Sequence, residues 1–119
     1  MDDLHQEIYR KAKYFQMKRK HYSFVSGACY KKTKLATYSR MMYEYNISSE
    51  SLKLKLLKFG KIGERFEKSS IGCCAEVHAV NDITLIRRQE DISKISVGVA
   101  IRPRTMQTGK KCKICKSLF

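Results

Sequence analysis

Apolar residues near the start of the chain recur at the spacing of one helix face. They are three or four positions apart, with lysines and arginines between them: Leu4, Ile8, Ala12 and Phe15. Asp2 and Asp3 precede this pattern, and aspartate stabilises a first helical turn because its carboxylate faces exposed backbone N–H groups. The pattern therefore predicts a helix that begins near Asp2 and weakens near residue 18.

Two later stretches have the composition of strands. Residues 22–30 are rich in aromatic and other β-compatible side chains, and residues 35–42 resume this composition after the polar run 31–34. Such a pair predicts a β-hairpin. A third strand is predicted over 94–101, where apolar residues occupy every second position: Ile95, Val97, Val99 and Ile101.

Two further helices are indicated between and after these strands. Leu52, Leu56 and Phe59 follow a group of serines at helical spacing, and Gly60 and Gly63 end that pattern. Residues 73–88 predict a second helix, with one apolar stripe: Ala75, Ala79, Ile83 and Ile86. Residues 66–71 and 103–109 are predicted to be loops, and 112–119 one short helix. The order of elements predicts an α/β fold, in which helices pack on a sheet.

Length and charge narrow the class of protein. A chain of 119 residues suits one domain, spanning 1–119. The net charge of +14 favours a polyanionic partner, with nucleic acid ahead of an anionic membrane surface. No apolar run approaches the roughly 20 residues that cross a bilayer, so membrane insertion is not expected. The acidic start of the sequence is not that of a signal peptide, so we expect a cytoplasmic protein or a domain of a larger one.

Four of the five cysteines lie in two short groups, which indicates metal or redox chemistry and not a disulfide framework. Cys74-Ala75-Glu76 is followed, about 35 residues later, by Cys112-Lys113-Ile114-Cys115, and zinc deaminases combine these two motifs in this order. Cys29 and Cys73 are expected to be small buried apolar residues.

The spacing suits a catalytic zinc site. Cys74, Cys112 and Cys115 would supply three thiolates, stabilised by helix N-termini, and would leave a fourth position for water. Glu76 is about 200° of helical rotation from Cys74, so both can face one ion only if that ion lies off the helix end. The helix should therefore begin close to residues 72–74. Glu76 would take a proton from the zinc-bound water and pass it to the base and to the departing ammonia.

Two other arrangements stay open at this point. Cys74, His78, Cys112 and Cys115 could form a closed structural zinc site, because Cys74 and His78 are one helical turn apart. Glu76 would then be an ordinary surface residue. The Cys112–Cys115 pair could alternatively be a redox pair.

The segment 72–81, Gly-Cys-Cys-Ala-Glu-Val-His-Ala-Val-Asn, resembles the Cys-Ala-Glu motif of YwqJ-like deaminases. These belong to the cytidine-deaminase-like superfamily and often form the toxin domain of bacterial polymorphic toxins. Segment 108–115 resembles their second metal motif, although Lys111 stands where many deaminases have proline. The resemblance implies a three-layer α/β/α fold with a mixed sheet, a zinc ion on Cys74, Cys112 and Cys115, and Glu76 as proton shuttle. For a toxin it also implies a cognate immunity protein and delivery into the cytoplasm of a target cell.

The charge favours a polymeric substrate over a free nucleoside, because only a strand offers a row of phosphates. Four basic residues flank the second metal motif and are the predicted phosphate contacts: Arg102, Arg104, Lys110 and Lys111. His78 is a further candidate for substrate contact. We expect a deaminase that converts cytosine to uracil in DNA or RNA. The alternatives are a zinc-stabilised nucleic-acid-binding module without catalysis and a free cytidine or nucleotide deaminase.

Overall fold

Three helices and a five-stranded sheet make up most of the computed structural model, which describes residues 2–20, 22–66, 69–89, 91–109, 115 and 118. The helices are α1 (Asp2–Met17), α2 (Glu50–Leu57) and α3 (Ala75–Arg87). The sheet contains β1 (Val25–Tyr30), β2 (Thr33–Tyr38), β5 (Ser96–Val97), β6 (Ala100–Arg102) and β7 (Gln107–Gly109). A separate small hairpin joins β3 (Arg65–Phe66) to β4 (Ser69–Ser70).

The predictions of the first helix and of the first hairpin are confirmed. All four predicted apolar positions of α1 are buried, because they form one face that packs on β1, β2 and β6. β1 and β2 are antiparallel and shorter than predicted, and the two-residue turn at 31–32 joins them. Lys31 takes a positive φ of 55° there, a conformation that tight hairpin turns require.

Helices cover both faces of the sheet, so the described elements form three layers. Alternate residues of β1 face opposite sides, as expected for a strand. Val25 and Cys29 pack with α1, whereas Ala28 and Tyr30 pack in the second core with α3. Leu52 and Leu56 of α2 belong to this second core as well. The prediction of an α/β fold with helices packed on a sheet is therefore confirmed.

The pairing within the sheet differs from the mixed sheet that the family resemblance implies. The strand order is β2-β1-β6-β7, with β5 also paired to β1, and every pair among the described residues is antiparallel. β2 and β7 are each reached by a hairpin, and β5 and β6 run in one direction, antiparallel to β1, so no parallel neighbours arise here.

A β-bulge interrupts the third predicted strand and overturns its simple alternation. Val97 pairs with Ala28, and Ile101 pairs with Val25. The two pairs are therefore four residues apart on β5–β6 but only three residues apart on β1. The extra residue lies at Gly98–Val99, between β5 and β6. Because of it, Val97 faces the core of α3 while Ile101 faces that of α1. Val99 is exposed instead of buried.

Residues predicted as loops contribute to two short hairpins. β7 lies within the predicted loop 103–109 and pairs with β6, and the backbone N–H of Met106 donates to the Arg102 carbonyl at 2.7 Å to close the turn. β4 and the last residue of β3 lie within the other predicted loop, 66–71. Strands of two or three residues are too short to produce a recognisable alternation, so the sequence pattern does not reveal them.

The two predicted later helices form. Ser49 caps α2 by accepting a hydrogen bond from the Leu52 N–H at 3.2 Å. α3 is apolar on more than one side, and nearly all its residues from Ala75 to Thr84 are buried. The predicted stripe is wrong at its last position, because Ile86 is 60% exposed near the helix end. Within the described ranges, no helix combines the length and the apolarity that crossing a membrane requires.

Candidate metal centre

The N-terminus of α3 is built by a sharp turn that ends on two cysteines. Gly72 has a φ of 89°, which favours glycine, and a Cβ there would lie 3.1 Å from the Cβ of Met42. The Cys73 N–H donates to the Ser70 carbonyl at 3.1 Å and closes the turn. Cys74 is then the N-cap in an extended conformation, and Ala75 is the first helical residue. The predicted helix start is therefore confirmed.

Three side chains converge at this helix end. The Sγ atoms of Cys74 and Cys115 and a carboxylate oxygen of Glu76 all lie within 4.8 Å of one another. Cys115 is fully buried, Glu76 is 4% exposed and Cys74 is half-buried. Cys74 is the N-cap of α3 and Glu76 lies in its first turn, so both are at the helix end whose exposed N–H groups stabilise anions. Thiolates and a carboxylate are ligands that a divalent metal ion accepts, so this group could hold one.

Cys115 reaches the group from a distant part of the sequence. It is helical and packs in the core beside α3, together with Cys74. The prediction that the two cysteine motifs meet is thus supported for Cys74 and Cys115. Cys112, the other predicted ligand of that motif, and the predicted phosphate contacts Lys110 and Lys111 lie outside the described residues. Cys29 and Cys73 are half-buried and do not belong to the group.

His78 lies one turn into α3 but does not join the three converging side chains. Its Nε2 atom is 2.8 Å from the backbone carbonyl oxygen of Arg40. Burial lowers the pKa of the imidazole, and the Arg40 charge acts in the same direction, whereas the carbonyl partner raises the pKa. A neutral ring whose Nε2 faces a carbonyl must carry its proton on that nitrogen. His78 therefore acts as a donor that fixes the backbone of Arg40.

The two predicted phosphate contacts within the described range are both exposed. Arg102 ends β6, and its guanidinium carbon lies 5.0 Å from the centroid of the Phe24 ring. Arg104 lies in the turn before β7, where its carbonyl accepts from the Gln16 side chain at 3.5 Å. Neither arginine has a hydrogen bond or ion pair to the three converging side chains among the described contacts. Their role remains a prediction.

Arg40 is a residue of this region that no motif singles out. Its N–H donates to the Cys73 carbonyl at 3.1 Å, directly before the N-cap of α3, and its own carbonyl faces His78. Its charge also lowers the pKa of Asp82, against the larger effect of burial, which raises it. Arg40 could not be predicted from the sequence, because the aromatic and aliphatic run 35–42 predicts a strand that includes it, whereas β2 ends at Tyr38.

Farther along α3, Asn81 holds the same connecting segment. Its Oδ1 accepts from the Ser48 N–H and its Nδ2 donates to the Asn46 carbonyl, both at 2.8 Å. Thr84 continues the polar row, with its hydroxyl 2.7 Å from that of Ser48. The row on α3 therefore fixes the path of residues 40–48 beside the candidate metal centre.

Comparisons with protein-family models, with curated proteins and with solved structures find no significant match to this chain.

Proposed function

We propose that this chain is a zinc-dependent deaminase that converts cytosine to uracil in nucleic acid. The observation that supports this most is the convergence of Cys74, Glu76 and Cys115 within 4.8 Å at the start of α3. Such deaminases combine cysteine ligands with a nearby glutamate that carries protons and does not bind the metal, and Cys74, Cys115 and Glu76 match that combination.

The zinc ion would be held by Cys74 and Cys115, with Cys112 as the third thiolate. Three protein ligands would leave room for a water molecule on the ion. When bound, zinc supplies Lewis-acid chemistry that makes this water reactive near neutral pH. The buried position of Cys115 and Glu76 supports such a role, because exclusion of solvent strengthens electrostatic interactions inside the site.

Glu76 would transfer protons during the reaction. Its carboxylate accepts a proton from the attacking water and delivers it to N3 of cytosine. The water oxygen forms a bond to C4, and the bond from C4 to the amino nitrogen breaks. Glu76 transfers the second water proton to that nitrogen, so ammonia leaves and uracil remains.

The position of His78 argues against a closed structural zinc site. Such a site needs His78 as a fourth ligand, but the structure places Glu76, and not His78, beside the two sulfur atoms. The His78 Nε2 already faces the Arg40 carbonyl at 2.8 Å. The zinc-stabilised module without catalysis therefore remains the weaker alternative.

A toxin domain with a cytidine-deaminase-like fold is the biological context that we propose. The helices on both faces of the sheet and the candidate metal centre at a helix start support the fold part of this proposal. The net charge of +14 supports nucleic acid as substrate. An immunity protein that covers the site in the producing cell would be the expected partner.

Replacement of Glu76 tests this function directly. We expect Glu76→Gln to lower the rate of ammonia release by at least about 100-fold, because the amide cannot carry the proton. The variant should still bind one zinc ion, as measured by elemental analysis. Substrates are single-stranded DNA, duplex DNA and RNA, each with and without a chelator, and sequencing of the products identifies the converted base.

Glu7→Gln is the matched control, because it removes the same charge from α1, on the other side of the sheet. It should leave both activity and zinc content unchanged. Full activity of Glu76→Gln would exclude the proposed mechanism. The closed structural site would instead be established by a different pair of results. His78→Ala would lose its zinc, whereas Glu76→Gln would keep its full zinc content and its other properties.

A further inference from the structure

The segment 40–46, between β2 and α2, is held against α3 from the start of the helix to its middle. Arg40 bonds through its backbone to Cys73 and His78, and Asn46 accepts from the Asn81 side chain. These contacts fix both ends of the segment. Side chains that the segment exposes are therefore presented in a defined place along α3, and its Arg40 end lies next to the N-terminus that carries the candidate metal centre.

The guanidinium group of Arg40 is oriented before any ligand arrives. It lies over the Tyr38 ring at 4.6 Å, and its Nη1 donates to the Thr37 hydroxyl at 2.9 Å and to the Tyr38 carbonyl at 3.0 Å. Within the described part of the chain, Nε and Nη2 make no hydrogen bond. Those two nitrogens form the edge that binds a phosphate with two parallel hydrogen bonds.

Two exposed tyrosines lie five residues or fewer beyond Arg40. The Tyr43 and Tyr45 rings are nearly parallel, with 10° between their planes and 5.7 Å between their centroids. Tyr43 is 53% exposed and Tyr45 84% exposed. Aromatic rings exposed in this way offer a face on which an unpaired base can stack.

We propose that residues 40–45 bind single-stranded nucleic acid next to the reacting nucleotide. Arg40 contacts a backbone phosphate, and Tyr45 stacks on a neighbouring base. The high positive charge of the chain favours this occupant over a protein partner, and the phosphate-matching edge of Arg40 supports the same choice. A duplex is disfavoured, because its bases are already stacked on one another. This inference rests on the proposed function and names the strand form of its substrate.

The chain contains a close counterpart of Arg40 at the other end of α3. The Arg87 guanidinium carbon lies 5.6 Å from the centroid of the Tyr30 ring, and its Nη1 donates to the Thr33 hydroxyl at 3.0 Å. Both arginines therefore stack on a tyrosine and bond to a threonine of the first hairpin. Arg87 lies in the last turn of α3, at the opposite end of the helix from Cys74, its N-cap.

The decisive experiment compares Arg40→Gln with Arg87→Gln. Affinity for a fluorescent single-stranded oligonucleotide is measured by polarisation over a range of salt concentrations. We expect Arg40→Gln to weaken binding about tenfold, since a charged hydrogen-bonded contact is lost. The slope of log affinity against log salt should fall by about 0.7, the value for one phosphate contact to a single strand. Arg87→Gln should change neither quantity by a comparable amount.

Tyrosine variants test the stacking half of the proposal. Tyr45→Ala should weaken binding of the same oligonucleotide at least about fivefold with an unchanged salt slope, and Tyr45→Phe should restore it. Tyr9→Ala is the control, because Tyr9 is also exposed but lies on α1. Thermal melting of each variant checks that the fold is retained.

Equal losses in Arg40→Gln and Arg87→Gln would show a general charge effect and would overturn the proposal. Unchanged oligonucleotide binding in the Arg40 and Tyr45 variants would also overturn it and would leave the segment as a surface for a protein. All binding is repeated in Glu76→Gln, which measures strand binding without turnover. A wild-type protein that binds strands through Arg40 but releases no ammonia would disprove the enzymatic function and leave the binding surface standing.

Discussion

Asn81 uses both ends of one buried amide to connect α3 to the preceding segment. Its oxygen accepts from Ser48 and its nitrogen donates to the carbonyl of Asn46, and the side chain is only 6% exposed. A buried polar group is stabilising only while its partners remain, because water cannot replace them. The geometry of residues 40–48 therefore depends on this amide.

Replacing Asn81 with aspartate tests that dependence. Asn81→Asp keeps the shape but sets a carboxylate oxygen against the Asn46 carbonyl, so the free energy of unfolding should fall by about 2–3 kcal/mol. Urea denaturation at neutral pH measures the change. Asn46→Asp is the control, since it makes the same charge change on an exposed side chain and should stay within about 0.5 kcal/mol. Equal losses in both variants would contradict the assignment.

Single residues of the site differ in how well they can be predicted from the sequence. Cys74 and Glu76 could be predicted, because a cysteine two residues before a glutamate at the start of a helix indicates a metal site. The glycine at 72 indicates where that helix starts. Arg40 and Asn81 could not, since an arginine or an asparagine is common everywhere and only the folded chain shows its partners. Hydrogen bonds between residues distant in sequence leave no local pattern.

At the scale of elements, glycines let α1 approach the sheet closely. A Cβ on Gly27 would lie 2.5 Å from the backbone oxygen of Leu35, within the β1–β2 ladder. A Cβ on Gly98 would lie 2.5 Å from the Cδ1 atom of Ile8, the flexible end of a side chain. The same small residue is therefore required for two different reasons.

This difference predicts unequal costs of two alanine substitutions. Gly27→Ala should lower the free energy of unfolding by about 3 kcal/mol, because a backbone oxygen within a sheet cannot move away. Gly98→Ala should cost about 1 kcal/mol, because Ile8 can change rotamer. Chemical denaturation of both variants gives the comparison, and a larger loss for Gly98→Ala would show that the α1 contact, and not the ladder, is the rigid element.

Element types were more predictable than element ends and faces. α1, α2 and α3 follow from periodicity and the first hairpin from composition, and both depend only on neighbouring residues. The faces of β5 and β6 do not, because the bulge at Gly98–Val99 is set by Ser26, whose hydroxyl lies 3.3 Å from the Gly98 carbonyl and 2.9 Å from that of Val99. A partner strand elsewhere in the chain decides that register.

For the whole molecule, the candidate metal centre joins parts of the chain that are distant in sequence. Cys74 begins α3, whereas Cys115 follows all the described strands, and both pack in the core on the α3 side of the sheet. A metal ion that binds both residues binds only the folded chain, so binding adds directly to stability.

Metal removal should therefore destabilise the protein as a whole. Zinc at 100 times its Kd adds about 2.7 kcal/mol, so a chelator should lower Tm by roughly 10 °C. Cys74→Ser should remove most of this difference and reduce the bound zinc. Cys29→Ser serves as the reference, because Cys29 packs on the α1 side of the sheet and outside the group. The same Tm with and without chelator in the wild-type protein would argue against a zinc centre.

The overall architecture could be predicted only in outline. The order of helices and strands favours helices packed on a sheet, and the structure has them on both faces. Beyond the first hairpin, the direction of each strand could not be predicted, because it depends on how the connections cross the molecule. The antiparallel pairing of β1 with β2 follows from the predicted hairpin, whereas its pairing with β5 and β6 joins distant segments, and composition or spacing contains no signal for that choice.

The bulge at Gly98–Val99 has a consequence for the length of the chain in relatives of this protein. The two pairs beside the bulge are three residues apart on β1 and four residues apart on β5–β6. A chain with one residue fewer at the bulge would therefore pair with β1 without interruption. Val97 would still face α3 and Ile101 would still face α1. A single-residue deletion is therefore compatible with both cores at this point, and we expect aligned relatives to place a gap there.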